Sequence, residues 1–487
     1  MYATDNLTAN LHLLLPEFLI AGLAFLVITI DFLLPRERKN VLAVIAVLGL
    51  AIIGIFSIIY LGGKENASLY EGIFVIDRYS LVFKVIFLGM GALVILASID
   101  FVKKHLHHPG EYYGIILFSI LGMMLMAASN ELLTAYISLE LLSFSLYILV
   151  SISRDNQKSD EAGVKYIILG AFASAILLYG VSIIYGTLGT TTFEGIGQAM
   201  GSGLSVSPHL LVGMAFILSG LAFKIAAVPF HMWTPDVYEG APLPITAYLA
   251  IGSKAAAFAL ILRLFSTSFM QSIEEWHLVI AVIAAVTMTF GNLSALAQSN
   301  IKRLLAYSSI GQVGYLLVGI AALSTAASNS IILHIIGYGL ANLAAFSVIT
   351  IFYNSTGKEN VNDFAGLAKR NPFLAMVLTV SLFSLAGLPF FAGFITKFYL
   401  FIAAAKEDLL WLAGIAMVNS LISLYYYLII IKQMYITPVK DDGDLKISAH
   451  NSGLLIFLVL GTIIIGIYPG PLVDIIETAT KVILPAT

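Results

Sequence analysis

The sequence predicts an all-α, polytopic membrane protein of about fourteen transmembrane helices, and three observations favour this fold class. First, 59% of the 487 residues are hydrophobic and only 11% are charged, whereas soluble domains carry about 25% charged residues. Second, long apolar segments follow one another along the chain with short polar connections between them. Third, Lys and Arg concentrate in alternate connections, as the positive-inside rule predicts.

Composition excludes several classes of function. The formal net charge of −3 gives no indication of nucleic-acid binding. The sequence contains no cysteine, which excludes disulfides, iron–sulfur clusters and thiolate metal sites within this chain. The run Lys103–His108 is interpreted as a solvated basic loop in preference to a metal site. No motif for a nicotinamide, flavin or haem is present, so we expect no cofactor in this chain.

Each span is predicted from the length of apolar helix that crosses the hydrocarbon core, about 20 residues. The predicted spans lie near 14–34, 40–62, 77–101, 112–129, 131–152, 161–185, 208–230, 243–265, 276–298, 302–322, 327–354, 372–404, 408–436 and 452–470. The preceding residues, Met1–His12, lack a basic segment, so we expect a retained first helix and no signal peptide.

Two of these spans are predicted to be broken. Span 7 contains Pro229 and continues into a short polar turn. Span 12 is too long for one straight helix, and the segment Ala386–Gly393 should interrupt it. The backbone groups that a break frees cannot face lipid, so both breaks must be buried in protein or line a hydrated cavity.

The basic connections set the predicted orientation. They hold 15 of the 25 cations, namely Arg36, Arg38, Lys39, Lys103, Lys104, Arg154, Lys158, Lys302, Arg303, Lys358, Lys369, Arg370, Lys432, Lys440 and Lys446. The opposite connections and the C-terminal end hold only Lys64, Lys406 and Lys481. This alternation predicts an even number of crossings, with both termini on the side away from the cytoplasm.

Three short matches in the same order indicate an internal repeat. The matched pairs are Ala135–Glu140 with Ala306–Gly311, the segment at Lys165 with that at His334, and Val228–Phe230 with Leu388–Phe390. Spans 4–8 and 9–13 are therefore predicted to form two five-helix repeats, the second inverted because five is odd. The predicted domains are a three-helix segment (1–110), the first repeat (111–266), the second repeat (267–436), and a C-terminal loop with span 14 (437–487).

Charged side chains inside the predicted spans are the strongest functional signal, because each costs a few kcal/mol to place at membrane depth. Five stand out: Glu140, Lys165, Lys224, Lys254 and Lys397. The alternatives are an ion pair that only fastens helices, or a side chain that reaches the membrane surface. For Lys84, Arg263 and Lys165, a side chain that reaches the membrane surface explains the charge as well as a functional role does.

Proton transfer needs groups that exist in both protonation states near neutral pH, and burial with a nearby opposite charge can provide them. Glu140 and Lys224 are predicted to pair as a switch whose opening releases the lysine proton. That proton would pass through Lys254, His334 and Lys397 along the bilayer midplane, with water bridging the gaps. A structural role for His334 is equally compatible with the sequence.

Other polar residues have two explanations each. His231, Asp236 and Glu239 follow the first break, and we favour caps of the following helix over groups that take up protons. Four tyrosines in or near the spans are predicted to pack or to hold water: Tyr136, Tyr307, Tyr315 and Tyr338.

Three motifs give the chain a resemblance to a known family. Pro229–Leu249, Asn300–Tyr315 and Ala386–Lys397 resemble the helix 7, helix 10 and helix 12 segments of the antiporter-like membrane subunits of proton-pumping NADH:quinone oxidoreductase, respiratory complex I. The sequence Asp236-Val-Tyr-Glu-Gly-Ala-Pro242 is typical of the subunit N branch. The resemblance covers nearly the whole chain, and the family is related to subunits of multisubunit cation/proton antiporters.

The resemblance implies residue roles. Glu140 and Lys224 correspond to the family's helix 5 and helix 7 ion pair, and Lys254 to its central relay lysine. Lys397 corresponds to the group that releases protons on the outer side. The chain departs from the family at Leu388, where many members have a second proline, and this changes the shape of the break more than its chemistry.

As a function, the resemblance implies a proton-translocating, non-redox subunit of an NADH-quinone oxidoreductase. Quinone, flavin and iron–sulfur clusters are then expected in partner subunits, and quinone reduction there drives this chain. The expected partners are neighbouring antiporter-like subunits, other membrane subunits, the peripheral redox arm and the lipid of a bacterial inner membrane. A cation/proton antiporter subunit and a purely structural subunit are the alternatives.

Overall fold

The computed structural model describes residues 10–35, 38–64, 66–70, 72–201, 207–438, 443 and 445–484. Its α-helices are α1 (Leu15–Leu33), α2 (Asn40–Leu61), α3 (Arg78–His105), α4 (Pro109–Ala128), α5 (Leu132–Val150), α6 (Gln157–Leu188), α7 (Phe193–Gly201), α8 (Pro208–Ile225), α9 (Trp233–Gly240), α10 (Leu243–Tyr248), α11 (Lys254–Thr267), α12 (Ile273–Ala295), α13 (Ile301–Ala321), α14 (Thr325–Thr356), α15 (Leu367–Arg370), α16 (Pro372–Ala386), α17 (Ala392–Lys406), α18 (Leu410–Tyr435), α19 (Ala449–Ile467) and α20 (Gly470–Thr480).

Shorter elements complete the fold. Three 3₁₀-helices lie at Leu11–Leu14, Met270–Ser272 and Val361–Phe364, and a π-helix at Leu249–Ser253 joins α10 to α11. Strands β1 (Ala67–Leu69) and β2 (Phe74–Ile76) pair antiparallel, with Ala67 opposite Ile76. No sequence signal predicted this hairpin, the π-helix, or the short helices α7 and α20.

Thirteen helical segments of the described chain are long and apolar enough to cross a membrane. The remaining predicted span is the broken pair α16 and α17, which residues 387–391 separate. The predicted class, an all-helical polytopic membrane protein, is therefore confirmed. The division into two inverted repeats, and the domain boundaries drawn from it, stay predictions.

The helices differ strongly in burial, and this places the centre of the molecule. The segment Leu243–Thr267 is fully buried, and Ile301–Ala321 and Thr325–Thr356 are nearly so. By contrast, only 33% of the apolar window of Asn40–Leu61 is buried. A helix that is hydrophobic all round must be covered by protein or lipid, so the three buried segments form the core and the helices around them present apolar faces to the membrane.

Both predicted breaks are present. The first begins earlier than expected, because α8 ends at Ile225 and Ala226 adopts a left-handed conformation with φ of 63°. Pro229 lacks an N–H donor and disfavours helix at the preceding residue, so the chain stays irregular until α9. The second break begins at Gly387, whose φ is 87°.

The surface-reaching explanation of Lys84 and Arg263 is wrong. Lys84 is fully buried with its Nζ 2.7 Å from Glu17 Oε1, and Arg263 pairs with Asp77 at 2.8 Å, also buried. Each cation has a carboxylate partner on another segment, which holds it inside the protein. Lys165 is 42% exposed, as expected for a side chain near the surface.

Some predictions concern residues outside the described ranges. The loop cations Arg36 and Lys440 lie there, as do residues 1–9 and 485–487 at the two ends of the chain. The predicted side of the membrane for the termini therefore stays a prediction.

Candidate functional site

Glu140 and Lys224 do not make a direct ion pair in this structure. The Glu140 carboxylate accepts a hydrogen bond from Ser174 Oγ at 2.5 Å. Lys224 Nζ donates to Ser143 Oγ at 2.5 Å and to Tyr147 Oη at 3.4 Å. Glu140, Ser143 and Tyr147 share one face of α5, because residues spaced by three and four lie above one another on a helix. The Ser143 hydroxyl therefore lies one turn along α5 from the Glu140 carboxylate, and it accepts a hydrogen bond from the Lys224 ammonium.

Lys224 occupies the end of a half-helix. It lies in the last turn of α8, two residues before Ala226, where unpaired carbonyls and the helix dipole favour a cation. Its tyrosine partner depends on Gly170, since a Cβ there would lie 2.0 Å from Tyr147 Oη. The break and a close helix contact together fix the surroundings of this lysine.

Lys254 begins α11 directly after the π-helix, in the fully buried segment. Its Nζ donates to Ser309 Oγ at 2.5 Å and to the Ser309 carbonyl at 3.3 Å. The Nζ also lies 5.8 Å from the ring centroid of Tyr238. Short π-helical segments inside α-helices, called π-bulges, are frequent at functional sites. Here the π-helix immediately precedes the lysine predicted to be central.

Ser309 lies between Lys254 and Tyr338, the residue whose ring stacks on His334. Tyr338 Oη donates a hydrogen bond to Ser309 Oγ at 2.9 Å. One turn away on α14, the His334 ring stacks on the Tyr338 ring, with centroids 6.2 Å apart and planes 9° apart. His334 Nδ1 lies 2.9 Å from Thr396 Oγ1. Its Nε2 is buried and has no hydrogen-bond partner in the described chain.

Lys397 sits against the end of the other half-helix. Its Nζ donates to the carbonyls of Leu385 at 2.9 Å and Ala386 at 3.4 Å, and to Ser420 Oγ at 3.3 Å. These carbonyls end α16, so the lysine satisfies groups that the break leaves unpaired. The Tyr315 ring covers the ammonium, with its centroid 4.4 Å from Nζ.

Contacts lead from Lys254 through Ser309 and Tyr338 to the stacked ring of His334. His334 in turn contacts Thr396, which precedes Lys397 in the chain, but no hydrogen bond between Thr396 and Lys397 is found among the described residues. Three aromatic rings, those of Phe223, Trp233 and Tyr238, lie in sequence between Lys224 and Lys254. These three rings are called the aromatic layer below.

Lys254 and Lys397 share a chemical property. Each ammonium is held by hydroxyl and carbonyl oxygens, and neither makes an ion pair within 4.0 Å among the described residues. Both are nearly inaccessible, with exposures of 2% and 3%.

Sequence reasoning missed most of the linking hydroxyls. Of these it singled out only Tyr338, as a packing or water-holding residue. Ser309 follows a second serine, Ser308, on α13, and Thr396 is the single Ser or Thr of α17. Neither residue has a partner nearby in sequence, so their contacts with Lys254 and His334 are seen only in the tertiary structure. Ser143 does carry a signal, because it lies one helical turn from Glu140.

Charged residues around α9 form a network with other helices. The Asp236 carboxylate accepts from Lys165 Nζ at 3.0 Å and from Arg303 Nη1 at 2.7 Å, and Glu239 Oε2 accepts from Arg303 Nη1 at 3.2 Å. Burial acts to raise the pKa of Asp236, but the hydrogen bonds from Arg303 and Lys165 hold it below its ordinary value. Neither carboxylate caps α9 or α10, whose N-caps are Met232 and Pro242 and receive no side-chain hydrogen bond. The capping interpretation is therefore wrong, since cations of other helices engage both groups.

His231 also does not cap a helix. It is buried in the first break with its ring edge-on to Phe290 at 4.5 Å, and burial lowers its pKa. Within the described ranges, His, Asp and Glu form no group of three or more that could hold a metal ion.

Comparisons with known proteins identify relatives of the whole chain. A protein of Moorella thermoacetica named NADH-quinone oxidoreductase subunit N is 42% identical over 96% of this chain and 97% of its own length. A chain in the structure of respiratory complex I from Thermus thermophilus with bound aureothin has a TM-score of 0.79 and 28% identity, and the match covers 94% of this chain and 98% of that one. A chain of the Mrp complex from a Dietzia species has a TM-score of 0.86, with 98% of each chain covered. Its identity is 20%, so that likeness concerns the fold alone.

A family profile matches the middle of the chain. The profile is described as NADH:quinone oxidoreductase/Mrp antiporter, transmembrane, and it matches residues 129–423. All five candidate residues, from Glu140 to Lys397, fall within this range. Together with the 42% identity over nearly the full length, this match shows that the chain belongs to the NADH:quinone oxidoreductase/Mrp antiporter transmembrane family.

Proposed function

We propose that this chain is subunit N of a proton-pumping NADH-quinone oxidoreductase in a bacterial inner membrane. Protons move through Glu140, Lys224, Lys254, His334 and Lys397, and quinone reduction in other subunits drives them. This chain supplies no redox centre, and flavin, iron–sulfur clusters and quinone belong to partner subunits. The relatives named subunit N, alike over their full length, support this assignment.

One observation carries the proposal more than any other. Lys254 is held by Ser309 at the centre of the fold, Ser309 is hydrogen-bonded to Tyr338, and the Tyr338 ring stacks on His334. Hydroxyl groups both donate and accept hydrogen bonds, so they can pass a proton between titratable groups. A lysine that only fastened helices would need one partner and no connected series.

Glu140 and Lys224 act as the switch at one end of this line. The Ser143 hydroxyl that holds Lys224 is three residues from Glu140, about 4.5 Å along the axis of α5. A rotamer change of the long lysine side chain is enough to exchange the hydroxyl for the carboxylate. With the pair closed, Lys224 keeps its proton. With the pair open, the proton is available to cross the aromatic layer to Lys254 when water enters.

Lys397 releases the proton at the other end. Its contacts with the end of α16 place it beside irregular backbone, which in a membrane protein is tolerated where it is buried or lines a hydrated path. Half-helix ends beside broken segments are typical ion sites of transporters built from inverted repeats. The two breaks, each with a lysine against a half-helix C-terminus, support the predicted repeat.

Lys254→Met in the assembled complex tests the proposal. We expect proton pumping per quinone reduced to be lost, because methionine keeps the apolar length of the side chain but binds no proton. The readout is acidification of inside-out membrane vesicles at matched quinone-reductase rates. Lys406→Met, at an exposed position at the end of α17, is the matched control and should pump normally. Full pumping by Lys254→Met would reject the relay and favour a structural subunit.

A cation/proton antiporter subunit is the second candidate, because the matching family description includes Mrp antiporters. Purification from the native membrane separates the two. Flavin- and iron–sulfur-containing subunits that copurify with this chain support the first function. Their absence, together with Na⁺-dependent proton exchange in vesicles, supports the second.

A further inference from the structure

Glu17 and Lys84 form a buried ion pair that the proposed proton line does not use. Lys84 Nζ lies 2.7 Å from Glu17 Oε1, and the two side chains are 0% and 4% exposed. Glu17 is on α1 and Lys84 on α3, so both lie inside membrane-spanning segments. They also lie outside residues 129–423, the range that the family profile matches. Charges at such depth are costly and usually mark a functional site.

A second buried pair in the same region shows what a structural pair looks like. Arg263 donates two parallel hydrogen bonds to Asp77, at 2.8 and 2.9 Å, and a third to the Ala127 carbonyl at 3.2 Å. Asp77 Oδ1 also accepts the backbone N–H of Ser80 at 2.7 Å and thereby caps α3. Arginine stays protonated in proteins. This pair is fully satisfied and cannot exchange a proton.

The Glu17–Lys84 pair differs from the Arg263–Asp77 pair in its hydrogen bonding and in the chemistry of its cation. Neither carboxylate oxygen of Glu17, nor Lys84 Nζ, has a well-oriented hydrogen-bond partner in the described chain. Both members can change protonation state, because a carboxylate can be neutralised and a lysine deprotonated. A buried ion pair without further hydrogen bonds does not repay its desolvation, and apolar residues of similar size often replace such pairs without loss of stability. Stability therefore does not explain why these two charges are present.

The depth of the pair in the membrane follows from contacts between α3 and α14, which pack together. A Cβ on Gly339 would lie 2.8 Å from Met90 Cε. Further along, His105 Nε2 lies 3.1 Å from Asn354 Oδ1. Both contacts join residues 249 positions apart in the sequence. The two helices therefore run parallel, and each residue of α3 lies at about the depth of the residue 249 positions later on α14.

Lys84 consequently lies at the depth of His334. Lys84 precedes Met90 by six residues and His334 precedes Gly339 by five, so their depths differ by about 1.5 Å. Packed helices have axes about 8–10 Å apart. Six residues also turn Lys84 about 120° away from Met90 around α3, so its side chain points to Glu17 and not at His334. The pair is a near neighbour of the proton line at the same depth, on a separate branch.

We propose that Glu17 and Lys84 form a second proton-exchanging site, beside the part of the line between His334 and Lys397. Glu17 holds the Lys84 proton when the pair is closed. A proton that arrives from the neighbouring line binds the Glu17 carboxylate, so the pair gains one positive charge and Lys84 loses its partner. Departure of that proton to the line restores the ion pair and the original charge. This inference rests on the proton translocation proposed above.

Lys84→Arg in the assembled complex is the decisive variant. Arginine keeps the positive charge and the ion pair but does not release its proton. We expect normal assembly and quinone reduction with loss of most proton pumping per quinone reduced. Lys39→Arg is the matched control, because Lys39 Nζ makes a 2.8 Å ion pair with Asp31 at the other end of α1, where the lysine is 15% exposed. The control should pump normally, and equal pumping by Lys84→Arg would overturn the proposal.

The double variant Glu17→Leu with Lys84→Met guards against steric effects of arginine. It removes both charges at nearly constant volume, so assembly should be kept. Loss of pumping in this variant supports proton exchange, and full pumping shows that the pair only fastens α1 to α3. Lys254→Met in the same assay separates the two hypotheses. Pumping that Lys254→Met abolishes and both Lys84 variants retain would reject this inference alone.

Discussion

Ser309 shows how a single hydroxyl can order the centre of the molecule. Its Oγ accepts hydrogen bonds from Lys254 Nζ and from Tyr338 Oη, on two other helical segments. A serine oxygen has two lone pairs and one proton of its own. Both lone pairs are therefore occupied, and the hydroxyl proton is the group left to move. Ser309 both positions Lys254 and connects it to the next group of the line.

We predict that Ser309→Ala slows proton pumping by about tenfold, because a hydrogen bond to a charged group contributes about 1.5–3 kcal/mol. The carbonyl of residue 309 still accepts from Lys254, so the fold should be kept. The rate of vesicle acidification at matched quinone reduction is the measurement. Ser330→Ala is the control, since Ser330 Oγ donates only to the Ala326 carbonyl of its own helix. A pumping rate equal to that of the parent would show that Ser309 is not in the line.

The sequence predicted which residues carry unusual charges better than it predicted their partners. Lys254 and Lys397 stood out because each lies well inside an apolar span, and both are buried. Lys84 and Arg263 lie closer to span ends, so the sequence is equally compatible with side chains that reach the membrane surface. Their partners Glu17 and Asp77 are distant in sequence, so only the tertiary structure reveals the buried pairs.

Among the helices, the two breaks solve the same local problem in different ways. Both half-helices end in a residue with positive φ, Ala226 after α8 and Gly387 after α16. Ala226 shows that this backbone shape tolerates a Cβ at the first break. At the second break the space is occupied, because a Cβ on Gly387 would lie 3.2 Å from Lys397 Cδ and 3.3 Å from Ser420 Oγ. Glycine there makes room for the lysine.

Gly387→Ala should therefore impair Lys397 more than it impairs the fold. The strained φ costs about 1–2 kcal/mol, and the new Cβ pushes Lys397 away from the carbonyls of α16. We expect a small fall in the melting temperature of the purified complex and a larger fall in pumping. Gly414→Ala on α18 is the control, because no heavy atom lies within 4 Å of a Cβ there. A variant with lower stability but unchanged pumping per quinone would contradict this account.

The length of the apolar segments predicted the positions of the spanning helices closely. It predicted the places where the backbone departs from regular α-helix only in part. The second break was visible in the sequence because Gly387 and Pro389 interrupt an overlong span. The π-helix before Lys254 was not, because its extra residue depends on packing against other helices. Tyr248, the residue before the π-helix, makes such a contact: its Oη lies 2.6 Å from Ser119 Oγ, across 129 residues of sequence.

Across the whole molecule, ion pairs join the two predicted repeats at one end of the bundle. Arg303 of α13 contacts Asp236 and Glu239 of α9. Lys158 Nζ of the first repeat also lies 4.0 Å from Glu359 Oε1 of the second. Within the repeats, Lys302 Nζ lies 2.9 Å from Glu359 Oε2 and Lys158 Nζ lies 3.7 Å from Glu239 Oε1. The sequence placed these cations in basic connections but gave no sign of their partners. The network fixes the segment after the first break against the other repeat.

Charge exchange between Asp236 and Arg303 tests whether this network joins the repeats. Asp236→Arg alone places a cation beside Arg303 and Lys165, so we expect a lower melting temperature of the assembled complex. Adding Arg303→Asp should restore part of the lost melting temperature. We expect an interaction free energy between the two substitutions of about 0.5–1 kcal/mol, because both partners are roughly one-third exposed to solvent. The pKa of Asp236 is held below its ordinary value, so the contact is present at neutral pH and weakens only as the pH falls through that lowered pKa. Measured at pH 7, a double variant no more stable than the sum of the two single effects would show that the ion pairs do not hold the repeats together.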